Sequence, residues 1–186
     1  MLIRLLIIAM FLLQTGCVTT AVMGGNVAYN HNAISEAIDN QEVASNASTA
    51  INASLRDHVD VSTTYFNHVL LLTGTAQTSA YKDQAAAIAR ATQGVARLYD
   101  GLSVGPPQTG WQQTQDGWIT SKIKTSIVAS SGITPGNFKI VTSDFVVYLM
   151  GAAPRDQVKK VVDIAKNTDG VKKVVNLMFY INLTTS

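Results

Sequence analysis

The chain repeats itself at domain length. Leu71-Leu72-Thr73-Gly74-Thr75-Ala76 matches Tyr148-Leu149-Met150-Gly151-Ala152-Ala153 at an offset of 77 positions, and Ile88-Ala89-Arg90-Ala91-Thr92-Gln93-Gly94-Val95 matches Ile164-Ala165-Lys166-Asn167-Thr168-Asp169-Gly170-Val171 at an offset of 76. A one-residue indel reconciles the two offsets. Shared order, spacing and Gly-Val junction describe two copies of one unit that is too long for a solenoid repeat. Any fold assigned to this sequence must therefore occur twice within 186 residues.

Each copy reads helix, strand, strand, helix, strand, which makes the class α+β. In the second copy Ile119, Ile123 and Ile127 recur every four residues, one face of a helix with Thr114 or Asp116 as its cap. Gly132–Asn137, with Pro135, ends it. Phe138–Val141 and Val146–Leu149 are strand runs around a turn at Ser143-Asp144. Val158, Val161, Val162 and Ala165 mark a second helix, stopped at Gly170, and Val171–Leu183 is a β-branched last strand. The first copy follows with a helix at Ser45–Arg56, strands at Val59–Thr64 and Val69–Thr73, a helix at Ser79–Thr92 and a strand at Val95–Val104. Its first helix is rich in Asn, Ser and Ala, with only Ile51 and Leu55 as clear core anchors, so this copy is expected to be the less stable.

Upstream of the repeat, Arg4 precedes the apolar run Leu5–Leu13, and Gln14-Thr15-Gly16 leads into Cys17, the chain's only cysteine. The run is too short to anchor in a bilayer and reads as a cleaved secretory signal. A signal that stops at cysteine resembles a bacterial lipoprotein signal, which implies diacylglycerol on the Cys17 thiol. An unpaired cysteine in an exported chain asks for such an explanation. Val18, where inner-membrane lipoproteins of the enteric type carry aspartate, points to the outer membrane. The organisation is then a signal at 1–16, a tether from acylated Cys17 over 17–40 with a short helix at Ala33–Ile38, a first domain at 41–104, a linker at 105–114 and a second domain at 115–186. Pro106 and Pro107, flanked by Gly105 and Gly110, define that linker.

Charge divides the same way. Residues 18–114 carry four basic and seven acidic side chains, net −3, whereas residues 115–186 carry nine against five, net +4. A basic half beside an acidic half suits an anionic partner. For a chain outside the cytoplasm anionic lipid is the natural partner of that kind and nucleic acid is not, and simple variation of surface charge is the competing reading. Catalysis has little support. His31, His58 and His68 show no metal-ligand spacing, and Gly101-Leu102-Ser103-Val104-Gly105 imitates a nucleophile elbow in the wrong context. No enzyme activity and no cofactor are expected.

At about 100° per residue, Trp118 lies off the isoleucine face, on the side of Ser121, Lys122 and Thr125. An indole beside an ammonium and hydroxyls suits the headgroup layer of a bilayer. Burial against the other copy or the linker is the competing reading, and composition alone favours it.

Asp116-Gly117-Trp118-Ile119-Thr120-Ser121-Lys122-Ile123-Lys124, the turn at Gly151 and Gly170-Val171-Lys172-Lys173-Val174-Val175-Asn176 resemble a BON domain. The first copy resembles a divergent second one, without the Asp-x-x-Ile-Thr helix start. A lipoprotein signal followed by two such domains is similar to the dual-BON outer-membrane lipoproteins of Gram-negative bacteria. The resemblance implies two tandem αββαβ sandwich domains behind a lipidated tether, in a periplasm-facing protein that supports envelope integrity. It implies that the helix Trp118–Val128 meets anionic phospholipid such as phosphatidylglycerol or cardiolipin, as at division sites. Trp118, Ser121, Lys122 and Thr125, with Gly117 and Lys124, form the expected contact. The alternative is a protein-interaction scaffold that docks outer-membrane protein assembly or cell-wall machinery, with incidental lipid contact.

Overall fold

The structure is a computed structural model that describes residues 31–181, with side chains from residue 39. The signal, Cys17 and the tether up to residue 30 lie outside the described residues. The first copy comprises α1 (His31–Leu55), β1 (Val59–Phe66), β2 (Val69–Ala76), α2 (Ser79–Ala91) and β3 (Arg97–Val104). The second comprises α3 (Gly110–Ala129), β4 (Phe138–Ser143), β5 (Val146–Ala153), α4 (Arg155–Lys166) and β6 (Lys173–Tyr180). Each copy is αββαβ, as the repeat requires. In both, the middle strand pairs antiparallel with the strand before it, across a tight turn, and parallel with the strand after it, across a helix.

The middle strands explain the continuous apolar runs. Leu70 and Leu72 of β2 pack with Ile51 and Leu55 of α1 and with Ala85 and Ala89 of α2. Val147 and Leu149 of β5 pack with Ile119 and Ile123 of α3 and with Val158 and Val161 of α4. The alternate residues, Val69 and Leu71 from β2 and Tyr148 and Met150 from β5, form a third cluster where the two sheets meet. A strand buried on both faces loses the alternation of a half-exposed one. Leu70, Leu71, Leu72, Leu149 and Met150 are all fully buried.

Tyr148 is the polar member of that third cluster. Its hydroxyl donates to the Gly101 carbonyl at 3.4 Å, and Tyr99 meets it edge-on at 5.9 Å. Burial, then the nearby Tyr99, Asp100 and Asp144, push its pKa up to about 12. The unfolded phenol ionises near 10. The contribution is therefore whole below pH 10 and is lost as pH rises towards 12. Alkaline titration of the melting temperature should show this loss, on the order of 2 kcal/mol, and Tyr148→Phe should abolish it. An unchanged alkaline slope in Tyr148→Phe would place the sensitivity elsewhere.

Several element ends depart from expectation. The helix of the second copy begins at Gly110, inside the expected linker, and neither Thr114 nor Asp116 caps it. Thr109 does: its hydroxyl accepts from Gln112 N at 3.3 Å, and the Gln112 side chain accepts from Thr109 N at 2.9 Å. Thr109-x-x-Gln112 is a capping box that begins as soon as the prolines have passed. Among the described residues the first helix spans His31–Leu55 and not Ser45–Arg56, so the short helix expected at Ala33–Ile38 is part of α1. Ala44, Ala47, Ile51 and Leu55 are its buried positions, spaced by three and four, and two of them are alanines that add little hydropathy to the pattern. The β4–β5 turn is Asp144-Phe145, one residue later than expected, with φ of 50° and 64°. Its counterpart Asn67-His68 has φ of 49° and 63°. Two successive left-handed residues make the two-residue hairpin that matches strand twist. The last strand runs Lys173–Tyr180 and starts two residues after the expected Val171, while the expected end at Leu183 lies outside the described residues.

Candidate functional site

Helix α3 is apolar on two sides. Its inner face sets Ile119, Ile123 and Ile127 into the second core. Among these isoleucines lies Asp116, only 5 % exposed. Its carboxylate accepts from Asp144 N and Phe145 N, each at 2.8 Å, and from Gln108 Nε2 at 3.1 Å. A charged acceptor for two turn amides fixes the hairpin tip against the helix. The residue that reads as a cap in sequence is thus a buried clamp.

On the outer face Trp118 is 62 % exposed, which excludes burial against the other copy or the linker. Lys122 Nζ lies 5.9 Å from the indole centroid, one turn further on. Ser121 and Thr125 are exposed on the same side, and Ser121 Oγ donates to the Gly117 carbonyl at 2.9 Å. Thr114, Gln115, Gly117, Trp118 and Ser121 line an open groove beside the ring. The structure thus brings together Gly117, Trp118, Ser121, Lys122 and Thr125. Lys124 is exposed but lies about 120° around the helix from Trp118.

Sequence reasoning missed Trp111, assigned to the linker, and Val128 as an outward residue. They are 65 % and 71 % exposed. Once the helix starts at Gly110, Trp111 lies seven residues before Trp118 on nearly the same face. The capping box was the available signal.

The first copy differs at the same places. Gly94 backs onto Val43 as Gly170 backs onto Ile119, which aligns α1 with α3 at an offset of 76. Glu42 then stands where Trp118 does, and Asn46 where Lys122 does. The first copy presents a carboxylate in place of the indole-ammonium pair.

Other chemistry is sparse. His58 Nδ1 pairs with Gln77 Oε1 at 3.1 Å and stacks on Tyr81 at 4.0 Å. His68 sits at the far end of β1, in the Asn67-His68 turn. The two histidines that flank the hairpin in sequence are therefore separated by the length of a strand. A polar cavity of about 380 Å³ between the copies is lined by Asp60, Ser62, Gln108, Gln113, Asp116 and Thr142, among others. Among the described residues no group of three His, Cys, Asp or Glu could hold a metal ion, and no helix is long and apolar enough to cross a membrane.

Two mixed three-stranded sheets, each backed by two helices, define a tandem αββαβ protein. Residues 39–106 and 115–182 each match the BON domain, so the chain belongs to the BON-domain family. It is similar to an outer membrane lipoprotein, DolP, of Haemophilus influenzae, 27% identical over 90% of both chains. It also resembles a 21 kDa hemolysin of Actinobacillus pleuropneumoniae, 28% identical over 69% of this chain and 66% of that one. The osmotically-inducible protein Y of Escherichia coli is 31% identical over 68% of this chain and 67% of its own length.

Proposed function

We propose that this chain is an outer-membrane lipoprotein, held by an acylated Cys17 and facing the periplasm. It binds anionic phospholipid through α3 of its second BON domain and thereby supports envelope integrity, at membrane regions rich in such lipids, division sites among them. The observation that carries this reading is the outward pair of Trp118 and Lys122, with the ring 62 % exposed and the ammonium 5.9 Å from it. An amphipathic ring rests at headgroup depth, and a lysine beside it pairs with phosphate. The net charge of +4 on residues 115–186 draws the same face towards anionic lipid. Similarity to an outer membrane lipoprotein over 90% of both chains supports the location. The carboxylate of Glu42 at the matching place of the first copy favours the second copy for this contact.

The test is co-sedimentation of residues 17–186, with Cys17→Ser, on phosphatidylglycerol, cardiolipin or neutral vesicles. Binding to the anionic vesicles only is expected. Trp118→Glu should weaken it about 100-fold, from about 2 kcal/mol of ring burial and about 1 kcal/mol of charge repulsion. A folded chain that ignores anionic vesicles would sink the lipid reading. The scaffold reading would then take its place, with crosslinking to outer-membrane assembly proteins as the next measurement.

A further inference from the structure

Phe145 occupies a backbone conformation that aromatic residues avoid. Its φ is 64° at the second position of the β4–β5 turn, a place that favours glycine. The sister turn holds Asn67-His68, residue types that tolerate left-handed geometry. A bulky side chain there is an outlier of the kind that gathers at functional sites. The turn is held in place by the Asp116 carboxylate through Phe145 N. The ring is half-buried and packs against the edge of the second core. Lys172 Nζ sits over it at 4.1 Å, and Trp111 lies 6.2 Å away at a tilt of 53°. Trp111 itself is 65 % exposed. Lys172 and Lys173 are exposed at the head of β6, and Lys172 N donates to the Phe145 carbonyl at 2.9 Å. Two carboxylates adjoin Phe145: Asp144 in the turn, and the buried Asp116, whose Oδ1 accepts from Phe145 N at 2.8 Å.

We infer that Trp111, Phe145 and Lys172 form a second contact with an anionic bilayer surface, about 10 Å from Trp118 along the same side of α3. This rests on the lipid-contact reading of Trp118 and extends it. Two aromatic-cation groups, Trp118–Lys122 on α3 and Trp111 of α3 with Phe145 of the β4–β5 turn and Lys172 at the head of β6, define a line and not a point. The helix then lies along the membrane surface, with its isoleucine face towards the protein. A bilayer fits this surface because both groups pair a ring of headgroup depth with an ammonium. The strained aromatic is kept where glycine would relax the turn, because its ring packs on the core edge and supports Trp111 and Lys172 at the surface that meets lipid.

The chain has two tryptophans, so each is observed alone when the other is replaced. Residues 17–186 with Cys17→Ser, carrying either Trp118→Phe or Trp111→Phe, are mixed with phosphatidylglycerol vesicles doped with lipid brominated near the headgroup. Circular dichroism verifies folding of each variant. Blue-shifted, quenched emission from Trp111 in the Trp118→Phe chain is the expected result. Water-like Trp111 emission beside a quenched Trp118 would overturn the second contact and leave the first standing. Two unquenched tryptophans in folded chains would overturn both. A quenched Trp111 beside an unquenched Trp118 would support the second contact and remove Trp118 from the proposed site. Phe145→Gly separates a binding role from a structural one. It trades packing against the core edge for a relaxed turn and should stay folded at the assay temperature, yet bind anionic vesicles severalfold more weakly. Unchanged binding in that variant would overturn the role given to Phe145.

Discussion

Gly151→Ala should strongly destabilise the second BON domain. Gly151 has φ of 132°, a region that side chains rarely enter, and lies in the middle of the sheet on β5. A Cβ there would stand 2.0 Å from the Asn137 carbonyl oxygen and 3.3 Å from the Phe66 ring. The nearer neighbour is backbone on the paired edge and cannot swing away. Strain and overlap together should exceed about 3 kcal/mol, a fall of roughly 10 °C in melting temperature. Gly74→Ala repeats the experiment in the first copy, where the Cβ would stand 2.0 Å from the Asp60 carbonyl at φ of 114°. Gly117→Ala is the control. Nothing lies within 4 Å of its added methyl, and an alanine inside a helix should raise stability by up to about 1 kcal/mol. Thermal melts that rank Gly151→Ala with Gly117→Ala would refute the close approach. The same pair also tests the site, since Gly117→Ala adds a methyl to the groove beside Trp118.

Asp116→Ala should be nearly as severe, with a different signature. It removes the acceptor for Asp144 N and Phe145 N and leaves two part-buried amides without a partner. Hydrogen bonds to a charged acceptor exceed neutral ones, so a loss of about 3 kcal/mol is expected. Asp116→Asn keeps one carbonyl oxygen and should fall between parent and alanine. Hydrogen exchange should localise the effect: the amides of residues 144 and 145 lose protection first. A global loss with no excess at these two amides would mean that Asp116 holds something other than the hairpin. Because the same turn presents Phe145, Asp116→Ala should also loosen vesicle binding through Phe145 beyond what the stability loss explains.

These two residues show where sequence reasoning reached and where it stopped. Gly74 and Gly151 were legible as a repeated landmark, because equivalent strands need glycine at the same place. The isoleucine period of α3 and the apolar runs of β2 and β5 were equally legible, since a core face repeats with its element. Asp116 was legible only as a polar residue ahead of an apolar period, and its reading as a cap was wrong. Nothing local marks a carboxylate whose partners lie 28 and 29 residues away. The stretch of α1 ahead of Ser45 was hidden because its buried Ala44, like Ala47, contributes little to a hydropathy pattern. Trp111 was assigned to the linker because Pro106 and Pro107 outweighed the capping box two residues later.

The order αββαβ, its duplication, the inner faces of the helices and the assignment to the BON family were all determined by the sequence. They follow from periodicity and turn chemistry, which act over a few residues. The tertiary structure alone decided that Val69 and Leu71 meet Tyr148 and Met150 sheet to sheet, and that Asp116 grips the Asp144-Phe145 turn. It alone decided that Trp111 and Lys172 meet at the Phe145 ring. Those arrangements depend on contacts between residues far apart in the chain, and the free energy of such contacts is not written in any one segment.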